Sequence, residues 1–532
     1  KLDLHMDGTI TATLALLDQE PFRFISKAEQ VVSLADGRAV VQGDLQFPLR
    51  KGGSPSDVQF DITAQLRNVR SDTLIKGRRL TASKLDLTAN REGLQIGGPV
   101  RLDGIAANGT WTQAFGAAAV GRSRLVSNVT LSQEFLDTFN ISLPPGSVSG
   151  QGRGDLSVDL VKGQAPEFRL TSDLRGIVVG LPSLGWRKGA NERGGLTVVG
   201  ALGDVPRVDT LEISGGGMDA KGAISLTSDG ALNEAKFSQV RIGNWLNAPI
   251  TIAGRGKGRP VGVTISGGAL DLRGAAFGGN SGGASAAGPM TLRLDRLQIT
   301  EGIALRDFRG NFGGQGGFSG EFTGKVNGGP SIRGTIVPQN GRSAVRLQSD
   351  DAGGVVGAAG FVKNGTGGVL DLTMLPVGAV GTFDGTLSVR GLRVRDAPSI
   401  AALLDAISVA GLLRQLDGQG LAFDEVDAKF RLSPSQVIVT EASAVGPGLG
   451  ISLDGIYQLA SKQIDFQGVI SPFYLLNGIG SFLTRKGEGL IGFNFNLAGS
   501  AASPEVSVNP LSALTPGMFR EIFRRPPPEV SQ

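Results

Sequence analysis

The chain has 532 residues, 82 of them glycine and none cysteine, with 40% hydrophobic, 6% aromatic and 19% charged residues and a formal net charge of +4. The lack of cysteine excludes disulfides and thiolate metal sites, the glycines show no collagen-like triplet period, and the hydrophobic content is too high for a disordered chain. The small positive excess is spread out, without a basic stripe or a recognisable module, so nucleic acid is not an expected partner, whereas mild attraction to anionic lipid is.

The sequence opens at Lys1 inside an alternating pattern (Leu2, Leu4, Met6), as a piece of a longer protein would. From there the recurring unit is a short alternating run closed by Gly, Asp or Asn. Leu85–Thr88, Leu156–Leu160, Val261–Ile265, Thr291–Leu294, Leu370–Met374, Gly385–Val389 and Phe493–Leu497 are examples. A period of two puts one apolar and one polar side-chain set on opposite sheet faces. Asp36-Gly37, Gly97-Gly98, Asn327-Gly328 and Asn340-Gly341 carry hairpin-turn chemistry, because these residues tolerate positive φ. Little helix separates the strands, which predicts an antiparallel meander rather than a parallel sheet with crossovers. No strict repeat is present.

Helices are few. The best runs from Pro398 to Leu416, with Asp396 placed to cap and Ile400, Leu403, Leu404, Ile407 and Leu413 at helical spacing. Gln133–Phe139, Tyr474–Thr484 and Pro516–Arg525 are shorter candidates; Pro526-Pro527-Pro528 stops the last. Such helices cap sheet edges. In the last, Phe519, Arg520, Ile522, Phe523 and Arg524 combine aromatic, aliphatic and cationic side chains, as a membrane-interface helix does. No segment reaches the ~20 continuous apolar residues that span a bilayer.

Catalytic patterns fail on context. The one histidine, His5, reads as an exposed strand residue. Gly279-Asn280-Ser281-Gly282-Gly283 lacks the strand and helix of a nucleophile elbow. Gly487-Glu488-Gly489-Leu490-Ile491-Gly492 precedes a strand and not a phosphate-binding helix. Asp424, Glu425 and Asp427 read as solvated acids at a strand start. No enzyme activity, cofactor or metal is expected.

What remains is the apolar face, which something must cover. A second sheet, a closed barrel, or a sheet curled into a trough filled by ligand would each do so. The abundant glycines favour continuous curvature, and aliphatic side chains suit acyl chains better than sugars or bases. The expectation is an all-β chain: a long, curved antiparallel sheet forming an open apolar groove, with a few short helices at its C-terminal end. Its candidate lining is Leu156, Val158, Leu160, Val261, Val263, Ile265, Leu292, Leu294, Leu370, Leu372, Leu387, Val389, Phe493, Phe495 and Leu497.

Three C-terminal stretches carry a family resemblance. They are the apolar helix from Ala397 leading into a Gly-rich strand, the step at Ser471, Pro472, Tyr474, Leu476 and Asn477, and the ending from Pro504 to Phe523. This region, roughly residues 380 to 525, resembles the C-terminal part of the AsmA-like superfamily, closest to its YhdP branch. Trp245–Gly274 is similar to the repeating section of the same family. The resemblance implies a periplasmic β-groove in a Gram-negative bacterium, anchored to the inner membrane by an upstream segment. Phospholipids would pass between the inner and outer membranes by passive sliding of acyl chains, with both membrane surfaces and possible envelope proteins as partners.

The corresponding division is a groove section over 1–277, a Gly-rich connection over 278–289, continuing groove over 290–396, the AsmA-like C-terminal region over 397–525 and a Pro-rich tail over 526–532. Two other functions fit the texture: an assembly factor pairing client strands at its sheet edges, and a β-rich structural or adhesive surface protein.

Overall fold

A computed structural model of the chain describes all residues except 21–22, 28–29, 47–57, 117–118, 142, 144–145, 182–184, 257, 275–286, 315–317, 361, 363, 396, 475–484, 502, 516–519, 521–523 and 529–532. The protein is all-β with a few short helices. It divides into two units, one of residues 1–257 with 275–279 and the other of residues 258–274 with 280–532.

In the first unit, each strand from Leu2–Thr9 to Glu167–Ser172 pairs antiparallel with the next in sequence. The order then skips to Gly195–Ala201 and continues through Leu246–Ala253. The skipped residues build a side flap. Its strand Ile177–Leu181 pairs with the beginning of Val148–Val161 and with Trp186–Lys188. Leu174 and Ile177 of the flap pack with Val129, Leu131 and Phe135. The flap is fastened by Lys188, whose buried ammonium donates to the carbonyls of Leu174 (2.6 Å), Ile177 (3.0 Å) and Gly189 (2.9 Å). Burial lowers its pKa, and the three carbonyls supply the hydrogen bonds that a buried cation requires.

The second unit departs from the expected meander at its start. Gly262–Ser266 and Ala269–Asp271, in line with each other, both pair parallel with Ala287–Gln298. Parallel pairing needs a return connection rather than a tight turn, and the Gly-rich residues after Asp271 join these strands. Everything after is antiparallel, ending at Ser503–Asn509.

Two expected turns are turns: Asn327-Gly328 and Asn340-Gly341 both sit at positive φ between paired strands. Two are not. Asp36-Gly37 opens the strand Asp36–Gln46 at a register shift, and Gly97-Gly98 lies inside Gly93–Leu102. Gly98 has φ 145°, and a Cβ there would stand 2.9 Å from the Lys84 carbonyl oxygen. The glycine answers a close strand approach at a bulge rather than a reversal.

The long helix predicted from Pro398 is two helices, Pro398–Ala406 and Ala410–Asp417, because Ser408 takes φ 58° between them. Ala397, not Asp396, occupies the N-cap position, and Asp396 lies outside the described residues. Gln133–Thr138 forms as expected, with Ser132 accepting from the Phe135 amide. Ile10–Leu17 and Ala352–Ala358 are helices that alternation concealed. No helix among the described residues is long and apolar enough to cross a membrane.

Candidate functional site

Residues paired across adjacent strands share a face, so the registers show how far one apolar surface extends. In the first unit an unbroken row passes through Met6, Val41, Ala64, Leu87, Ile96, Trp111, Leu125 and Val158. It continues through Phe168, Gly200, Val208, Ile224, Ala235 and Ile252. In the second unit a row passes through Ile265, Leu292, Gly310, Phe322, Gly334, Leu347 and Leu372. It then runs through Leu387, Ala428, Ala442, Leu453, Gly468, Phe495 and Val508. No charged residue interrupts either row. The opposite face is polar: Ser266, Arg293, Arg309, Thr323, Arg333, Gln348, Asp371, Ser388 and Asp427 form its row in the second unit.

Glycines keep the apolar face level. Gly334 and Gly310 flank Phe322, Gly385 lies opposite Phe430, and Gly468 lies opposite Phe495. A side chain on Gly468 would meet the Phe495 ring at 2.6 Å, and Gly334 and Gly385 are as tight against the rings of Phe322 and Phe430, while Gly310 is crowded by the ring of Phe312 on its own strand. Each ring lies over the gap left by its cross-strand glycine. Phe308, Phe312, Phe318 and Phe322 form one aromatic patch, with Phe308–Phe322 centroids 5.5 Å apart and Phe312–Phe318 centroids 5.1 Å apart.

The cover of this face differs along the chain. Leu87, Ile96, Trp111, Leu125, Phe168, Leu211, Ile213, Ile224 and Ile252 are only half-buried. At the end of the second unit Leu403, Leu404, Leu412 and Leu416, from the two helices, join one buried cluster with Leu370, Val389, Ile451, Ile470, Phe495 and Leu497. The helix pair therefore lies over the face itself, where only an edge cap was expected.

The predicted lining residues separate accordingly. Leu156, Leu160, Val263, Leu372, Leu387 and Phe493 are half-buried, Leu372, Leu387 and Phe493 at the margin of the helix-covered cluster and Leu156 against the flap. Val158, Ile265, Leu292, Leu294, Leu370, Val389, Phe495 and Leu497 are buried, the last four in the helix-covered cluster. Those four are filled by the protein's own side chains. Val261 precedes its strand, is 40% exposed and is not part of the row.

The polar side of the terminal strands holds an ion network that alternation did not reveal. Arg524 donates to Asp454 (2.6 Å) and to Glu488 (2.7 Å), with all three side chains at most 6% exposed. Ser452 donates to Glu488 at 2.6 Å, and the Gln467 amide donates to Asp454 at 2.9 Å. Arg520 is fully buried and donates to the Thr515 and Leu490 carbonyls; burial lowers its pKa. Arg520 and Arg524 are thus not presented to a membrane interface as expected, because they pin the C-terminal segment to the sheet. Phe519, Ile522 and Phe523 lie outside the described residues, as do Tyr474–Thr484 beyond its first residue and Gly279–Gly283. Asp454 alternates as any solvated strand acid does, so only the return of the distant Arg524 distinguishes it.

Glu425 and Asp427 are also not free acids: Arg390 and Lys486 pair with Glu425, and Lys486 also pairs with Asp427. Burial works to raise the Asp427 carboxyl, but hydrogen bonds from Lys486 and Ser388 outweigh it and hold the group below its usual 3.8. Asp424 and His5 are exposed strand residues. Glu488, inside the glycine motif that precedes Phe493–Ser500, belongs to the ion network rather than to a phosphate loop. Among the described residues no group of three or more His, Cys, Asp or Glu is placed to hold a metal. No protein-family model, curated protein or solved structure matches the chain.

Proposed function

We propose that the chain is a phospholipid conduit of the AsmA-like, YhdP-like kind, whose apolar face is the floor of an open groove for acyl chains. The observation that carries this reading is the unbroken apolar row through each unit, half-buried over most of the first. Burial of apolar area is worth about 25 cal/mol per Å², so acyl chains lying on such a row offset much of what leaving a bilayer costs them. Many weak, near-equivalent positions permit sliding, whereas one deep pocket would trap a lipid. Headgroups stay in water at the strand ends. On this reading the protein works in the periplasm between the inner and outer membranes, held at the inner membrane by an upstream segment.

The test is to purify the chain, extract it and identify bound lipids by mass spectrometry. Several phospholipids per chain, reduced by Ile224→Asp or Leu372→Asp in folded protein, support the conduit. A monodisperse chain free of lipid would refute it and favour the structural or assembly-factor reading.

A further inference from the structure

The helix pair over the terminal strands differs from three other helices in how it is held. Ile10–Leu17, Gln133–Thr138 and Ala352–Ala358 each begin with a side-chain cap, from Thr9, Ser132 and Asp351. Pro398–Ala406 and Ala410–Asp417 have Ala397 and Val409 at their N-caps and no side-chain cap hydrogen bond. The break between them places Ser408 in the left-handed region, which a non-glycine residue adopts at a cost. Their attachment is apolar: Leu404 and Leu416 are fully buried among Val389, Phe495 and Leu497. These are contacts of the kind an acyl chain would make with the same row.

Resting on the conduit reading above, we propose that the helix pair Pro398–Ala406 and Ala410–Asp417 is a displaceable plug. In the empty protein it occupies the last stretch of the apolar face, and acyl chains exchange for it when lipid reaches the terminal strands. The exchange substitutes one apolar cover for another, so little differential affinity is needed to shift it. The missing caps make opening of the helices easier than opening of the capped Ala352–Ala358. While the plug is in place it hides an apolar surface that would otherwise be exposed to water.

Hydrogen exchange on the whole, unmodified chain tests this, with and without vesicles of phosphatidylethanolamine and phosphatidylglycerol, bound lipid being counted after vesicle removal. Lipid loading is expected to speed exchange over residues 398–417 about tenfold while 352–358 stays unchanged. The chain has no cysteine, so Leu404→Cys gives a second readout: its thiol, buried in the empty protein, should become reactive on loading. Bound lipid with residues 398–417 still protected and the thiol still unreactive would overturn the plug and leave the conduit standing. Absence of bound lipid under all conditions would overturn both.

Discussion

The end of the second unit and the strands Arg207–Gly215, Met218–Leu226 and Leu232–Ile242 of the first share one pattern and differ in what covers it. Both carry an uninterrupted apolar row opposite a polar face. In the former, two helices bury the row until Phe495 is 2% exposed and Leu404 is fully buried. In the latter, Leu211 and Ile224 remain half-buried and join no buried cluster with a helix among the described residues, although the neighbouring Ile213 packs against the flap. The difference teaches that an alternating strand specifies which face is apolar but not whether protein, lipid or another partner completes it. It also predicts that equal substitutions in the two regions have unequal consequences.

The sharpest expected loss lies at the ion network that holds the C-terminal segment on the covered region. Arg524→Ala removes the cation closest to the buried Asp454 and Glu488, leaving Arg485 at 3.9 Å from Asp454, and should cost roughly 3–5 kcal/mol in denaturant unfolding of this region. A cost below about 1 kcal/mol, of the size of an exposed pair, would show that the network contributes little. Leu416→Ala, deleting a fully buried plug side chain, should cost about 2–5 kcal/mol by the same measurement.

In the open region Ile224→Ala should cost only about 1 kcal/mol, because the side chain is half-buried already. A loss as large as that of Leu416→Ala would mean that this face is an ordinary core, and would erase the contrast. On the proposed conduit reading, the lipid bound to this variant, counted by mass spectrometry, should also fall.

The smallest effect concerns pH. The folded-state Asp427 carboxyl is held below its usual 3.8, so the stability that it contributes with Lys486 is present above that value and lost as pH falls through the lower folded one. Acid unfolding of Lys486→Ala should therefore converge on that of the unaltered protein below this window and diverge above it. Curves separated equally at every pH would assign the Lys486 contribution to something other than Asp427.

Much of the sheet was legible in the sequence. Runs such as Leu156–Leu160 and Leu370–Met374 are strands because a period of two fits only a pleated surface with unlike faces. Asn340-Gly341 is a turn because both residues take positive φ there. The same local chemistry misled at Gly97-Gly98, where the cause of the glycine is a neighbouring strand absent from the local sequence. The parallel pairing of Gly262–Ser266 was hidden for a related reason, since strand direction depends on the path of the chain between strands.

By itself the sequence determined the all-β class, the two unlike faces of its alternating runs and the absence of disulfide chemistry, since these follow from side-chain alternation and composition. Only the tertiary structure decided that Phe495 and Leu497 lie under the protein's own helices while Ile224 does not, and that Arg524 is buried against Asp454 rather than presented to a membrane. Cover and charge pairing are contacts between residues far apart in the chain, and a periodicity of two residues carries no information about them.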